Sequence, residues 1–190
     1  TATAKQLPVG LVFKGSPENE KFLEYSKFLA DYGKKQQVFI DDLKNAKNAA
    51  DTEAIRVRSA EVAKELTAYR RNYVAKEPKT LLAAIFNALE IPEVPAGKHL
   101  LADGTEDSSF AYNYYKEHYW DKFNFNDDRL INTPIYDMKL DEYMNRLVLP
   151  YEDSVEKEAN ILLGKTKNSK ELFKYTLWWM PYYLVYSTLW

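Results

Sequence analysis

The chain has 190 residues, 26 basic and 28 acidic side chains, fifteen tyrosines and no cysteine. Without cysteine, this sequence carries no disulfide framework, thiolate zinc site, iron–sulfur cluster or cysteine nucleophile. The cancelling charges exclude the global basic field that nucleic-acid binding rests on, and an apolar share of 46% excludes a disordered chain.

In chain order, Val9–Lys14 reads as one lone strand, so residues 1–15 are expected to be a remnant strand or linker of a longer polypeptide. No signal peptide stands there. Ser16-Pro17-Glu18 is a helix start, with Ser as N-cap and Pro in the first turn. Phe22, Tyr25, Leu29, Tyr32, Gln36, Phe39, Leu43, Ala46 and Ala50 follow at alternating spacings of three and four. A second seam runs Ile55, Ser59, Val62, Leu66, Tyr69, Tyr73, after a turn at 48–53 capped by Asp51 or Thr52. Two narrow seams of this kind predict a long antiparallel helical hairpin over residues 16–76. Such a seam also pairs between chains, so a homodimer through the hairpin is one expectation.

Residues 77–190 read as a compact helical domain. A short helix over 79–90 ends at Ile91-Pro92, and residues 91–107, rich in Pro and Gly, form a loop. A helix over 110–123 follows, capped by Ser108 or Ser109. A short helix begins at Asn126–Arg129 and stops at Thr133-Pro134. Further helices are expected over 139–148, from Asp153 or Ser154 to Leu163 with Gly164 as stop, and from Asn168-Ser169 onward until Pro181 kinks or ends it. The fold class is therefore all-α, a hairpin followed by five or six shorter helices. The apolar run Leu177–Trp190 is too short, and too broken by Pro181, to span a membrane.

The densest chemistry lies in Phe110–Phe125, half of which is aromatic. Tyr112, Tyr114, Tyr115, Tyr119 and Trp120 are either a central packed helix or a platform on which a glycan or peptide stacks. His118 shares a helical face with Asp121, and Asp127, Asp128 and Arg129 follow closely. No second histidine stands one turn on, so no metal site is expected. Asp103–Asp107 lacks the calcium-loop pattern, and Gly164-Lys165-Thr166 lacks the first glycine of a phosphate loop. No nucleophile–base pair stands out, so no catalytic residue and no cofactor is expected.

The order of motifs carries a resemblance. Phe13–Asn19, Glu77–Leu82, Ile91–Pro95, Tyr112–Trp120, Asp127–Pro134 and Tyr151–Ser154 together resemble the helical domain of unknown function that precedes a thioredoxin fold in TlpA/ResA-like envelope proteins of Gram-negative anaerobes. The resemblance covers residues 13–178. It implies a small β domain upstream, to which Val9–Lys14 would belong, and a Cys-x-x-Cys thioredoxin domain downstream. It implies a periplasmic or envelope location and a non-catalytic accessory role. The partner would be the chain's own thioredoxin-like domain or a client protein, met through Tyr112, Tyr114, Tyr115, His118, Tyr119, Trp120, Asp127, Asp128 and Arg129. A glycan- or peptide-binding module using residues 110–125 is the alternative.

Overall fold

Among residue 13 and residues 15–186, which the computed structural model describes, there are seven α-helices and no strand. The expected strand over Val9–Lys14, Phe13 apart, and the last four residues lie outside the described part. By its internal contacts the chain divides into two units, residues 1–83 and 84–190.

The first unit is the hairpin of α1 (Pro17–Asn45) and α2 (Ala49–Lys76). All six residues of the second seam are buried or half-buried, and so are Tyr25, Leu29, Tyr32, Gln36, Phe39 and Ala46 of the first. Phe22, however, is 53% exposed, Leu43 and Ala50 also face outward, and Leu23 is buried instead. The seam thus begins on Leu23 and Tyr25, where Phe28 stacks on Tyr69 with ring centroids 4.4 Å apart and Arg70 donates to the Tyr25 hydroxyl at 2.7 Å. Lys35–Glu65 and Arg58–Asp42 pair across the helices. The cap of α2 is Asn48, one turn before the expected Asp51. Its side chain accepts from the Asp51 N–H at 2.8 Å, while the Asp51 carboxylate reaches back to the Lys47 N–H, a reciprocal capping arrangement. Thr80 caps the short α3 (Leu81–Ala88) by accepting from the Ala83 N–H, so this helix starts two residues later than expected.

The second unit is built around α4 (Phe110–His118), α5 (Ile135–Glu142), α6 (Glu152–Thr166) and α7 (Lys170–Tyr186). The helix expected over 110–123 stops at His118. Beyond it the chain turns three residues at a time, with Asp121 N–H to His118 C=O and Phe123 N–H to Trp120 C=O. The tighter winding sends Tyr119, Trp120 and Phe123 inward, whereas α4 itself has no buried residue. Trp120 then meets five rings, those of Tyr119, Phe123, Phe125, Tyr136 and Tyr143. The aromatic core is therefore built on a turn folded inward, not on a central packed helix.

The short helical turn over Asp128–Asn132 ends at Thr133-Pro134 as expected, and Pro134 also opens α5 four residues earlier than the expected start at Lys139, because its fixed φ suits a first helical turn. One extra residue per turn over Tyr143–Leu147 closes the Val148 N–H on the Tyr143 carbonyl, a π turn. The helix α6 passes through Gly164 to Thr166, whose hydroxyl bonds back to the Leu162 and Leu163 carbonyls. Ser169 caps α7 by accepting from the Leu172 N–H, and α7 continues through Pro181. Within residues 91–107, Leu100 and Glu106 face each other in one antiparallel bridge around Gly104, whose φ of 84° suits the turn.

Candidate functional site

In α5 and the π turn after it, Ile135, Met138, Lys139, Glu142 and Arg146 recur at helical spacing on one face. Together with Asp141, Tyr115 of α4 and Tyr119, this face lines a cleft of about 420 Å³. Residues 88–92 complete it. They leave α3 through Leu89 and Glu90 N–H bonds to Ile85 and Asn87, and Pro92 prevents further helix. The volume is at the small end of ligand sites.

Lys139 gives the cleft its character. It is 9% exposed, yet no carboxylate lies within ion-pair distance among the described residues. Its Nζ lies 3.8 Å from the centroid of the Tyr119 ring and 5.4 Å from that of Trp120. The ring faces favour the ammonium. Burial opposes it more strongly and lowers its pKa to about 8, with the Glu142 charge working in the other direction. Trp120 Nε1 is the one fully buried side-chain nitrogen or oxygen without a hydrogen-bond partner among the described residues. Lys139 Nζ, equally without an acceptor, is not fully enclosed, and Lys139 is among the residues that line the cleft.

The neighbours are already engaged. The Tyr119 hydroxyl donates to Glu142 Oε2 at 2.8 Å, and burial, reinforced by that carboxylate, raises the phenol far above its ordinary range. Burial raises Tyr115 as well, again helped by Glu142. Asp141 Oδ1 accepts from the Asn145 amide at 2.8 Å. Arg146 is exposed and makes no hydrogen bond or ion pair among the described residues.

The residues singled out in the sequence separate into several places. Tyr115 and Tyr119 line the cleft. Trp120, 4% exposed, forms its support from the core side, with its ring covered by aromatic neighbours. Tyr112 donates to the Leu147 carbonyl at 2.5 Å and so ties α4 to the π turn. Tyr114 and His118 belong to a row of rings on α4 that begins with His99 stacked on Phe110 at 3.4 Å. His118 Nδ1 lies 2.6 Å from Asp121 Oδ2, and no group of three metal-ligating side chains converges among the described residues. Asp127 caps the turn over Asp128–Asn132 and chelates Arg129 through Nε and Nη2, whose bonds hold its carboxyl below the ordinary range. Asp128 accepts from the buried Ser169 hydroxyl. The nine residues thus do not form one surface.

Lys139, Glu142 and Arg146 were not among the residues that stood out in the sequence. The signal lay in a lysine at helical spacing from Ile135 and Glu142, on a helix whose neighbouring positions Tyr136, Leu140 and Tyr143 are buried. A second cleft of about 440 Å³, mostly apolar, lies between α6 and α7 and is lined by Val155, Ala159, Met180 and Leu184 among others.

Residues 47–188, more than half of the chain, match the family model described as Domain of unknown function (DUF5106), and the chain belongs to that family. No curated protein and no solved structure matches it.

Proposed function

We propose that this DUF5106 domain is a non-catalytic recognition module that holds an extended segment of a partner protein in the Lys139 cleft. In this reading it is an accessory domain of a thioredoxin-like envelope protein, and the partner is that protein's own redox domain or a client. The observation that carries the binding part is the cleft itself: apolar walls of Ile91, Pro92, Ile135 and Met138 around a buried cation with no ion-pair partner. Binding sites combine apolar lining with a few unpaired polar groups in this way. The accessory part is supported by the order of motifs from Phe13 to Ser154. A glycan platform on residues 110–125 needs open ring faces, and those of Trp120 are covered.

Two exposed cleft residues test the reading, since Ile91 and Met138 are more than half exposed and their replacement leaves the core intact. Ile91→Asp and Met138→Asp are expected to weaken binding of a reduced, unfolded polypeptide by about tenfold, measured by fluorescence anisotropy, at unchanged helicity. Binding that both variants retain, or that oligosaccharides provide instead, contradicts the proposal. For the accessory part, the full polypeptide is expected to carry a Cys-x-x-Cys thioredoxin fold after this domain, and its absence overturns that part alone.

A further inference from the structure

We infer that the cleft recognises a free carboxylate, the C-terminal end of an extended peptide with an apolar last residue, through Lys139 and Arg146. The inference rests on the cleft being the binding site and adds what it binds. What the cations of the cleft lack is a close partner. The two carboxylates on its α5 side each hold one donor, Glu142 from Tyr119 and Asp141 from Asn145. The two cations, the Lys139 ammonium and the Arg146 guanidinium, hold no hydrogen-bond acceptor among the described residues. A carboxylate supplies two acceptor oxygens and one compensating charge.

The Lys139 ammonium is stripped of most of its water before any ligand arrives, because the fold itself buries it between the Tyr119 and Trp120 rings. A ligand that pairs it meets a cation already largely desolvated, so less of the ion-pair energy is lost to removing water. The acids set the limit on ligand charge. Glu90, Asp141 and Glu142 line the same cleft. Three acids against two bases repel a doubly charged phosphate more than a singly charged carboxylate. The apolar wall selects what lies next to the carboxylate. Ile91, Pro92, Ile135 and Met138 offer contact to an apolar side chain, and the π turn that carries Arg146 is a distortion often retained at functional sites.

The test is calorimetric titration of the whole domain with N-acetylated tetrapeptides ending in leucine, each as free acid and as C-terminal amide. The free acid is expected to bind about tenfold or more tightly than the amide. Lys139→Met and Arg146→Gln are each expected to remove most of that difference. Arg146 is exposed, so its variant keeps the fold even where Lys139→Met is disputed. Equal binding of acid and amide, within about twofold, overturns the carboxylate inference and leaves peptide recognition standing. Binding of neither form, with Ile91→Asp indistinguishable from the parent chain, overturns both. An acid preference that survives Lys139→Met and Arg146→Gln together places the carboxylate elsewhere and overturns the inference.

Discussion

Lys139 is a residue that stability alone would not choose. Its burial lowers its pKa to about 8, from 10.5, so the folded domain holds a cation that water would stabilise better. Lys139→Met is expected to raise stability by about 1–2 kcal/mol at neutral pH, read from urea unfolding. Residues that lower stability in this way concentrate at functional sites. The pH dependence has a definite sign. The folded-state pKa lies below the unfolded one, so the destabilisation is complete below about pH 8 and is relieved as pH rises from there toward the unfolded value. Glu142, Asp141, Glu90 and Arg146, with the phenols of Tyr115 and Tyr119, are the other ionisable groups of the cleft, and Glu142 moderates the shift. The stability gap between the parent chain and Lys139→Met should therefore narrow above pH 8. A gap that stays constant from pH 7 to about pH 10 contradicts the assignment.

A second residue-scale case is Glu158, which is 6% exposed and bonded to Lys116 at 2.8 Å and to the Tyr143 hydroxyl at 2.7 Å. Lys116→Met leaves its carboxylate buried beside one neutral donor, at an expected cost of about 2–3 kcal/mol in chemical denaturation. The exposed pair His118–Asp121 has water as a substitute partner, so His118→Ala is expected to change stability by less than about 0.5 kcal/mol. The spacing of His118 and Asp121 shows in the sequence, whereas Lys116 and Glu158 are brought together only by the fold. In both, only the tertiary packing decides whether the pair is desolvated.

At the scale of elements, the helices were legible and their ends were less so. The seam of α2 could be read because Ile55, Val62, Leu66, Tyr69 and Tyr73 keep the helical period, broken only by Ser59, and α2 packs against α1. The end of α4 could not. Helical propensity is nearly continuous through Phe123, and what stops the helix at His118 is the demand of Trp120 for five aromatic neighbours. Gly164 misled for the opposite reason. A glycine often ends a helix, but here the Thr166 back-bond and the buried Leu162 hold α6 in register beyond it. Its position is exposed, with open space where a Cβ would stand and no positive φ. Gly164→Ala is therefore expected to raise stability by about 0.5–1 kcal/mol, whereas a helix-stopping glycine would make the same change destabilising. Asn48→Ala tests the cap of α2 and should lower stability by about 1 kcal/mol.

At the scale of the whole molecule, the all-α class and the long hairpin were open to reading from periodicity. The cleft was not. It is assembled from a proline-broken segment after α3, one tyrosine of α4, the turn at Tyr119 and one face of α5 with its π turn. Tyr115 and Tyr119 stood out in the sequence for their aromatic density. Lys139 did not, because reading Pro134 only as a stop left Lys139 at a helix start, where a lysine meets solvent. Pro134 both ends the turn over Asp128–Asn132 and opens α5, so Lys139 falls in the middle of a helix and is buried. The first cue was composition, and the site is a matter of register.

The chain's three methionines allow the central claim to be measured directly. Met138 lines the Lys139 cleft and is exposed, Met180 lines the second cleft, and Met144 is buried in the core. In the protein labelled with ¹³C at the methionine methyl groups, titration with an N-acetylated peptide ending in a leucine carboxylate should move the Met138 signal in a saturable way. Met180 and Met144 should stay in place. A titration that moves Met180 first, or that leaves Met138 unmoved at saturation, contradicts the assignment of the Lys139 cleft as the recognition site.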